Sequence, residues 1–288
     1  MNEAIRQILA AYEVRSLEDS LRALREVMQE IALLGLWRSK FFEKAAFYGG
    51  TALRVLYGLD RFSEDLDFSL LKKGESFDLA DYSEALKKEL ASFGFAVEIE
   101  SRAMPASAAI QSAFLKADTR TRMITVEFDK GLVQKVPRNQ VLKIRLEVDI
   151  DPPPGFRTGV RYLLRPVPFS VRTFSLPDLF AGKMHAVLCR EWKSRVKGRD
   201  WYDLVWFAAH HPDLHLAHLE QRMRQTGHWT GPAPLTAEDL RDLMIRRVDK
   251  VDIDQIRREV EPFVKDAAAL AIWSSEFFKD VASRIKTG

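Results

Sequence analysis

The chain has 288 residues, enough for two average domains or for one elaborated domain with a large core. Hydrophobic residues make up 47% and charged residues 30%, which excludes a disordered, collagen-like or disulfide-scaffold protein, and no apolar run is long enough for a transmembrane helix. A net charge of +3 is too small to announce a nucleic-acid binder, and with Cys189 as the single cysteine neither an internal disulfide nor a four-cysteine zinc site can form.

Met1 to Gln7 lack the apolar region and cleavage site of a secretory signal, so a cytoplasmic, reducing compartment is expected. Ser16-Leu-Glu-Asp19 is a capping box opening a helix whose apolar residues, Leu21, Leu24, Val27, Met28, Ile31 and Leu34, recur at three and four; Gly35 is the expected stop. Phe47-Tyr48 reads as a short strand, Gly49-Gly50-Thr51 as a tight turn and Ala52 to Tyr57 as a short helix. The pattern then switches to period two. Leu66, Phe68 and Leu70 alternate with polar residues, as do Phe95, Val97 and Ile99, then Ile124, Val126 and Phe128, then Leu142 through Ile150. These predict four half-buried strands of one sheet, with a helix between Leu79 and Phe93 separating the first two. Pro152-Pro153-Pro154-Gly155 ends the last of them, and a proline-punctuated stretch runs to Pro177. Beyond it the pattern is helical, with loops near Lys197-Gly198 and Gly227–Pro234. An α+β fold is expected, in two parts: residues 1–175 with N-terminal helices and the sheet, and a helical 176–288.

The chemistry concentrates between Phe47 and Phe68. Glycines between a strand and a helix let backbone N–H groups approach a phosphate, and the positive end of the helix dipole adds to the attraction. Thr51 can cap that helix or offer its hydroxyl to the same phosphate. Asp65 and Asp67, two apart on a strand, project from one face about 7 Å apart. Two like charges so placed favour a bridging cation, and hard carboxylate oxygens suit Mg²⁺. A third acid is available from Glu147 or Asp149 on the polar face of the last strand; the choice depends on register, and Glu147 is favoured. Arg54 and Arg61 flank the turn, positioned either to neutralise a triphosphate or to make surface salt bridges.

Farther along, Leu179, Lys183 and Val187 fall on one helical line, so an ammonium sits among apolar residues, and burying it unpaired would be costly. Asp200 and Asp203 lie one turn apart on a helix apolar on nearly all sides and need cationic partners, with Arg199 or Lys183 the obvious ones. From Lys183 to Arg199 six basic residues face one acid. His185 has no second ligand at useful spacing, and Cys189 reads as a buried, inert thiol.

The string Gly49-Gly50-Thr51-Ala52-Leu53 … Arg61-Phe62-Ser63-Glu64-Asp65-Leu66-Asp67-Phe68, with an acid on a later strand, resembles the nucleotidyltransferase signature of the DNA polymerase β superfamily. More narrowly it is similar to the AbiEii/AbiGii-type toxin nucleotidyltransferases of type IV toxin–antitoxin systems, which include the MenT-like enzymes. A second block of that family is matched by Leu176-Pro177-Asp178-Leu179-Phe180-Ala181-Gly182-Lys183 and by Lys197-Gly198-Arg199-Asp200-Trp201-Tyr202-Asp203-Leu204. The resemblance implies a nucleotidyltransferase-type mixed sheet flanked by helices. It implies Mg²⁺, with Mn²⁺ as the alternative, held by Asp65, Asp67 and Glu147 or Asp149. It further implies NTP binding by Gly49, Gly50, Thr51, Arg61 and Lys183, and a functional aspartate at Asp200 or Asp203. The expected reaction is transfer of NMP to RNA, at a tRNA 3′ end, with growth arrest as the consequence and a cognate antitoxin encoded nearby. A small-molecule nucleotidyltransferase and a non-catalytic nucleotide-binding module are the alternatives.

Overall fold

The structure, a computed structural model, describes residues 3–73, 76–95, 97–102, 119–127, 141–190 and 196–287. A first helix, α1 (Glu3–Ala10), precedes the long α2 (Leu17–Arg38), whose N-terminus is capped as expected: the Ser16 hydroxyl accepts the Asp19 N–H at 3.1 Å. The second half of α2 is mostly apolar and buried, with Ile31, Leu33, Leu34 and Leu36 all without solvent contact. Gly35 does not stop this helix. A Cβ there would lie 3.2 Å from the Glu89 Cβ, so the glycine lets α4 (Ser83–Ser92) pack closely across α2.

Among the described residues seven strands form one mixed sheet: β1 (Ala45–Tyr48), β2 (Leu66–Leu70), β3 (Val97–Arg102), β4 (Thr119–Glu127), β5 (Val141–Asp149), β6 (Thr158–Leu163) and β7 (Phe169–Phe174), in the order β3-β4-β5-β2-β1-β7-β6. β2 runs parallel to β5 and β1 parallel to β7; the other pairings are antiparallel. The four strands predicted from period-two alternation are present, although Phe128 falls outside the described residues. The β6–β7 hairpin is an addition. Its edge strand leaves Val160 and Tyr162 at 55% and 74% exposure, so no clean apolar alternation marks it in the sequence.

The alternation decides which way each side chain faces. Phe47, Leu66, Phe68, Leu70, Ile144, Leu146 and Val148 point to the α2 side and build one core with it. Ala46 of β1 points the opposite way, into a second core with the C-terminal helices, which Leu53, Leu59 and Phe174 also join. Those helices are α5 (Leu176–Cys189), α6 (Gly198–His210), α7 (Leu216–Gln225), α8 (Ala237–Lys250), α9 (Ile253–Val260) and α10 (Ser275–Ser283). The N-terminal sheet and the C-terminal helices thus share a core. Its stacking includes Phe180 on Phe207, 4.4 Å apart and within 4° of parallel. Gly198 opens α6 where a side chain would collide with the carbonyl of Ile256 in α9. No helix among the described residues is long and apolar enough to cross a membrane.

Candidate active site

The register of β2 and β5 settles how the acids are arranged. Asp67 lies directly across the parallel ladder from Glu147, and Ser69 across from Asp149. Asp65, one residue before β2, Asp67 and Glu147 therefore share the sheet face opposite α2, and all three line a cleft of about 420 Å³. Asp149 does not line it; its Oδ1 accepts the Asp151 N–H at 3.0 Å. Burial first, then the charges of Glu147 and Asp65, pushes the Asp67 carboxyl up to about 6. Asp65 is also shifted upward, chiefly by burial. Arg145, two residues before Glu147 and on its face, spans the group: Nη1 is 2.8 Å from Glu147 and Nε 3.7 Å from Asp65.

The glycine turn stands against these acids. Gly49 opens α3 (Gly49–Tyr57) with φ of +83°, a conformation L side chains rarely adopt, and a Cβ there would collide with Asp67 Oδ2. Gly49 lines the cleft. Gly50 and Thr51 are buried beside it and serve the turn itself. A Cβ on Gly50 would come within 2.8 Å of both Arg61 Nη2 and Ser63 Oγ. The Thr51 hydroxyl donates to the Asp65 carbonyl and meets Ser63 Oγ at 2.9 Å, which pins the chain leading into β2.

The opposite wall comes from α5 and α6, so the cleft lies between the sheet and the C-terminal helices. Lys183 is 14% exposed at its side chain and places Nζ 2.7 Å from Asp203 and 3.7 Å from Asp200. Asp203 itself has no solvent contact. Both of its oxygens bind Arg61, through Nε and Nη2 at 2.6 Å each. Burial would raise the Asp203 carboxyl, but Arg61 and Lys183 outweigh it and hold it below the usual range. The expectation that Arg61 reaches a triphosphate is therefore not met: its guanidinium is 2% exposed, beneath the turn and committed to Asp203. Asp200 and Asp203 are separated in the same way. Asp200 lines the cleft and accepts from Arg190 Nη1 at 2.8 Å, whereas Asp203 supports Lys183 from below.

Other expectations shift in detail. Ahead of α5, the Ser175 hydroxyl donates to Asp178, which also takes His215 Nδ1 at 2.6 Å. Arg199 finds Glu64 at 3.8 Å and the Phe263 ring at 4.1 Å rather than the aspartates. Of the basic run, Lys193 and Arg195 lie outside the described residues, while Lys183, Arg190, Lys197 and Arg199 all line the cleft. Burial, resisted by Asp200 and reinforced by Arg190, Lys183 and Arg199, lowers Lys197 to about 8. Sequence reading missed Arg145 and Arg222 as lining residues. The alternation that puts Arg145 on Glu147's face signals the first; nothing local to α7 signals the second.

The residues present fit a divalent cation. Three carboxylates converge, and burial followed by the charges of Glu147 and Asp65 holds Asp67 above its ordinary value. Hard carboxylate oxygens of this kind suit Mg²⁺ or Mn²⁺.

A mixed sheet that presents Asp-x-Asp and a neighbouring-strand acid to a glycine turn defines a nucleotidyltransferase. The chain belongs to the AbiEii nucleotidyl transferase toxin family of type IV toxin–antitoxin systems, which matches residues 31–281. Membership implies an NTP substrate and an antitoxin partner. Two Helicobacter pylori structures share the fold. One is a candidate nucleotidyltransferase, 18% identical with a TM-score of 0.50 over 93% of this chain and 94% of that one. The other is JHP933, 18% identical with a TM-score of 0.51 over 93% and 91%. No curated protein matches the chain.

Proposed function

We propose that the cleft transfers NMP from an NTP to a hydroxyl of RNA, at a tRNA 3′ end, releasing pyrophosphate and arresting growth. The observation that carries this reading is the ladder pair Asp67–Glu147, with Asp65 alongside, set against the Gly49 turn. Asp65, Asp67 and Glu147 would hold Mg²⁺ or Mn²⁺, which when bound lowers the pKa of an attacking hydroxyl and neutralises the departing pyrophosphate. Gly49 leaves room for phosphate beside Asp67 because it has no side chain. Lys183 contributes a fixed positive charge from the opposite wall, where charge develops on the phosphates. Asp203 and Arg61 are positioning residues: they hold the Lys183 ammonium at one height in the cleft. Asp200 orients Arg190 at the cleft mouth.

The RNA acceptor is favoured over a small cationic one by the lining. Arg145, Arg190, Lys197, Arg199 and Arg222 all face the cleft and suit a phosphate backbone. Incubating the protein with labelled NTPs, Mg²⁺ and total RNA tests the reading. Label in a tRNA-sized band supports it, label only in small molecules assigns an antibiotic-type transferase, and no label anywhere removes the enzymatic proposal.

A further inference from the structure

We propose that His185, Cys189 and His228 form a second cation site, of the thiolate–imidazole kind that takes Zn²⁺, behind the wall of the cleft. His185 and Cys189 are four apart on α5 and so share one face of the helix. His228 comes from the loop after α7, where its backbone N–H is fixed to the Met223 carbonyl at 2.8 Å. One donor atom from each of the three lies within 4.8 Å of the other two. The Thr226 hydroxyl orients both imidazoles, meeting His185 Nε2 at 2.9 Å and His228 Nδ1 at 3.0 Å. The two rings stand nearly perpendicular, 6.3 Å apart.

Zn–S and Zn–N bonds of about 2.3 and 2.0 Å put tetrahedral donors roughly 3.3–3.6 Å apart. Closing the site therefore takes a movement on the order of 1 Å, and His228 can supply it because its side chain is exposed while Cys189 is buried. Three protein ligands leave a fourth position for water or another donor. Sulfur and imidazole nitrogen discriminate against Mg²⁺, which requires oxygen. The site is thereby chemically distinct from the carboxylates across the cleft. It also has a structural consequence. Arg190, next to Cys189, binds Asp200, and Arg222, one turn before Thr226, lines the cleft. An ion here would tie the end of α5 to the loop after α7 and brace both arginines.

The test is a Co²⁺ titration of the reduced, metal-stripped full chain, followed by displacement with Zn²⁺. The expected result is a thiolate-to-cobalt charge-transfer band that saturates at one ion per chain and disappears when Zn²⁺ is added. The band should persist in Asp67→Asn, which alters only the carboxylate site, and vanish in Cys189→Ser. His228→Ala, at an exposed position, should weaken Co²⁺ binding at least tenfold and abolish the rise in thermal midpoint with Zn²⁺. Absence of the band in folded wild-type protein, or unchanged affinity in His228→Ala, would overturn the proposal whether or not nucleotidyl transfer is found.

Discussion

Arg61 and Asp203, 142 residues apart in sequence, form a two-pronged ion pair with both contacts at 2.6 Å and almost no solvent access. Removing Arg61 leaves the buried Asp203 carboxylate with one cation, Lys183 at 2.7 Å, in place of two. Arg61→Ala should therefore cost about 3–5 kcal/mol in denaturant unfolding. The double variant Arg61→Met/Asp203→Leu should lose less than the sum of the single variants, because the two residues interact directly and Lys183 keeps Asp200 at 3.7 Å. Because the Asp203 carboxyl is held below its ordinary value, its contribution is complete above that value and lost as pH falls. Asp203→Asn should accordingly flatten the acid limb of the stability profile.

Asp67→Asn should abolish transfer without lowering the thermal midpoint. The wild-type carboxyl is raised to about 6 by burial and by its neighbours Glu147 and Asp65, so removing its charge relieves repulsion. A normal transfer rate in this variant would eliminate the proposed metal-holding role.

The third acid can be assigned by comparing Glu147→Gln with Asp149→Asn. The first should reduce transfer as severely as Asp67→Asn does, and the second should retain most of it, because the Asp149 carboxylate is turned to the Asp151 backbone. Single-turnover assays with saturating NTP separate the two.

Gly49→Ala should lose both stability and activity. The left-handed backbone alone costs about 1–2 kcal/mol with a side chain present, and the new methyl would displace the Asp67 carboxylate. Chemical denaturation with a parallel transfer assay checks both effects.

Glu30, 5% exposed and paired with Arg165 at 2.7 Å, is raised by burial to about 7 against an ordinary 4.5. The folded state thus holds this proton more tightly than the unfolded chain. Its contribution is complete below about 4.5 and declines as pH rises to about 7. Glu30→Gln should flatten that part of the stability profile by roughly 1–3 kcal/mol, read from urea midpoints across the window.

Period-two alternation made Asp65, Asp67 and Glu147 legible, because a strand fixes which residues share a face. Strand register was not legible: which acid faces Asp67 is decided by a pairing partner some eighty residues away, and local pattern carries no information about it. The same limit misplaced Arg61, whose position beside the glycine turn suits a phosphate as well as a buried aspartate. It also hid His228 from His185, since only the path of the loop after α7 joins them. The β6–β7 hairpin escaped for another reason. An exposed edge strand needs no apolar face, and proline obscures what alternation remains.

The two walls of the cleft are encoded far apart. A chain emerging from the ribosome possesses its sheet carboxylates well before Lys183, and Lys183 before the aspartate that steadies it. Linear order by itself thus leaves any fragment cut short before residue 183 with only one wall of the pocket.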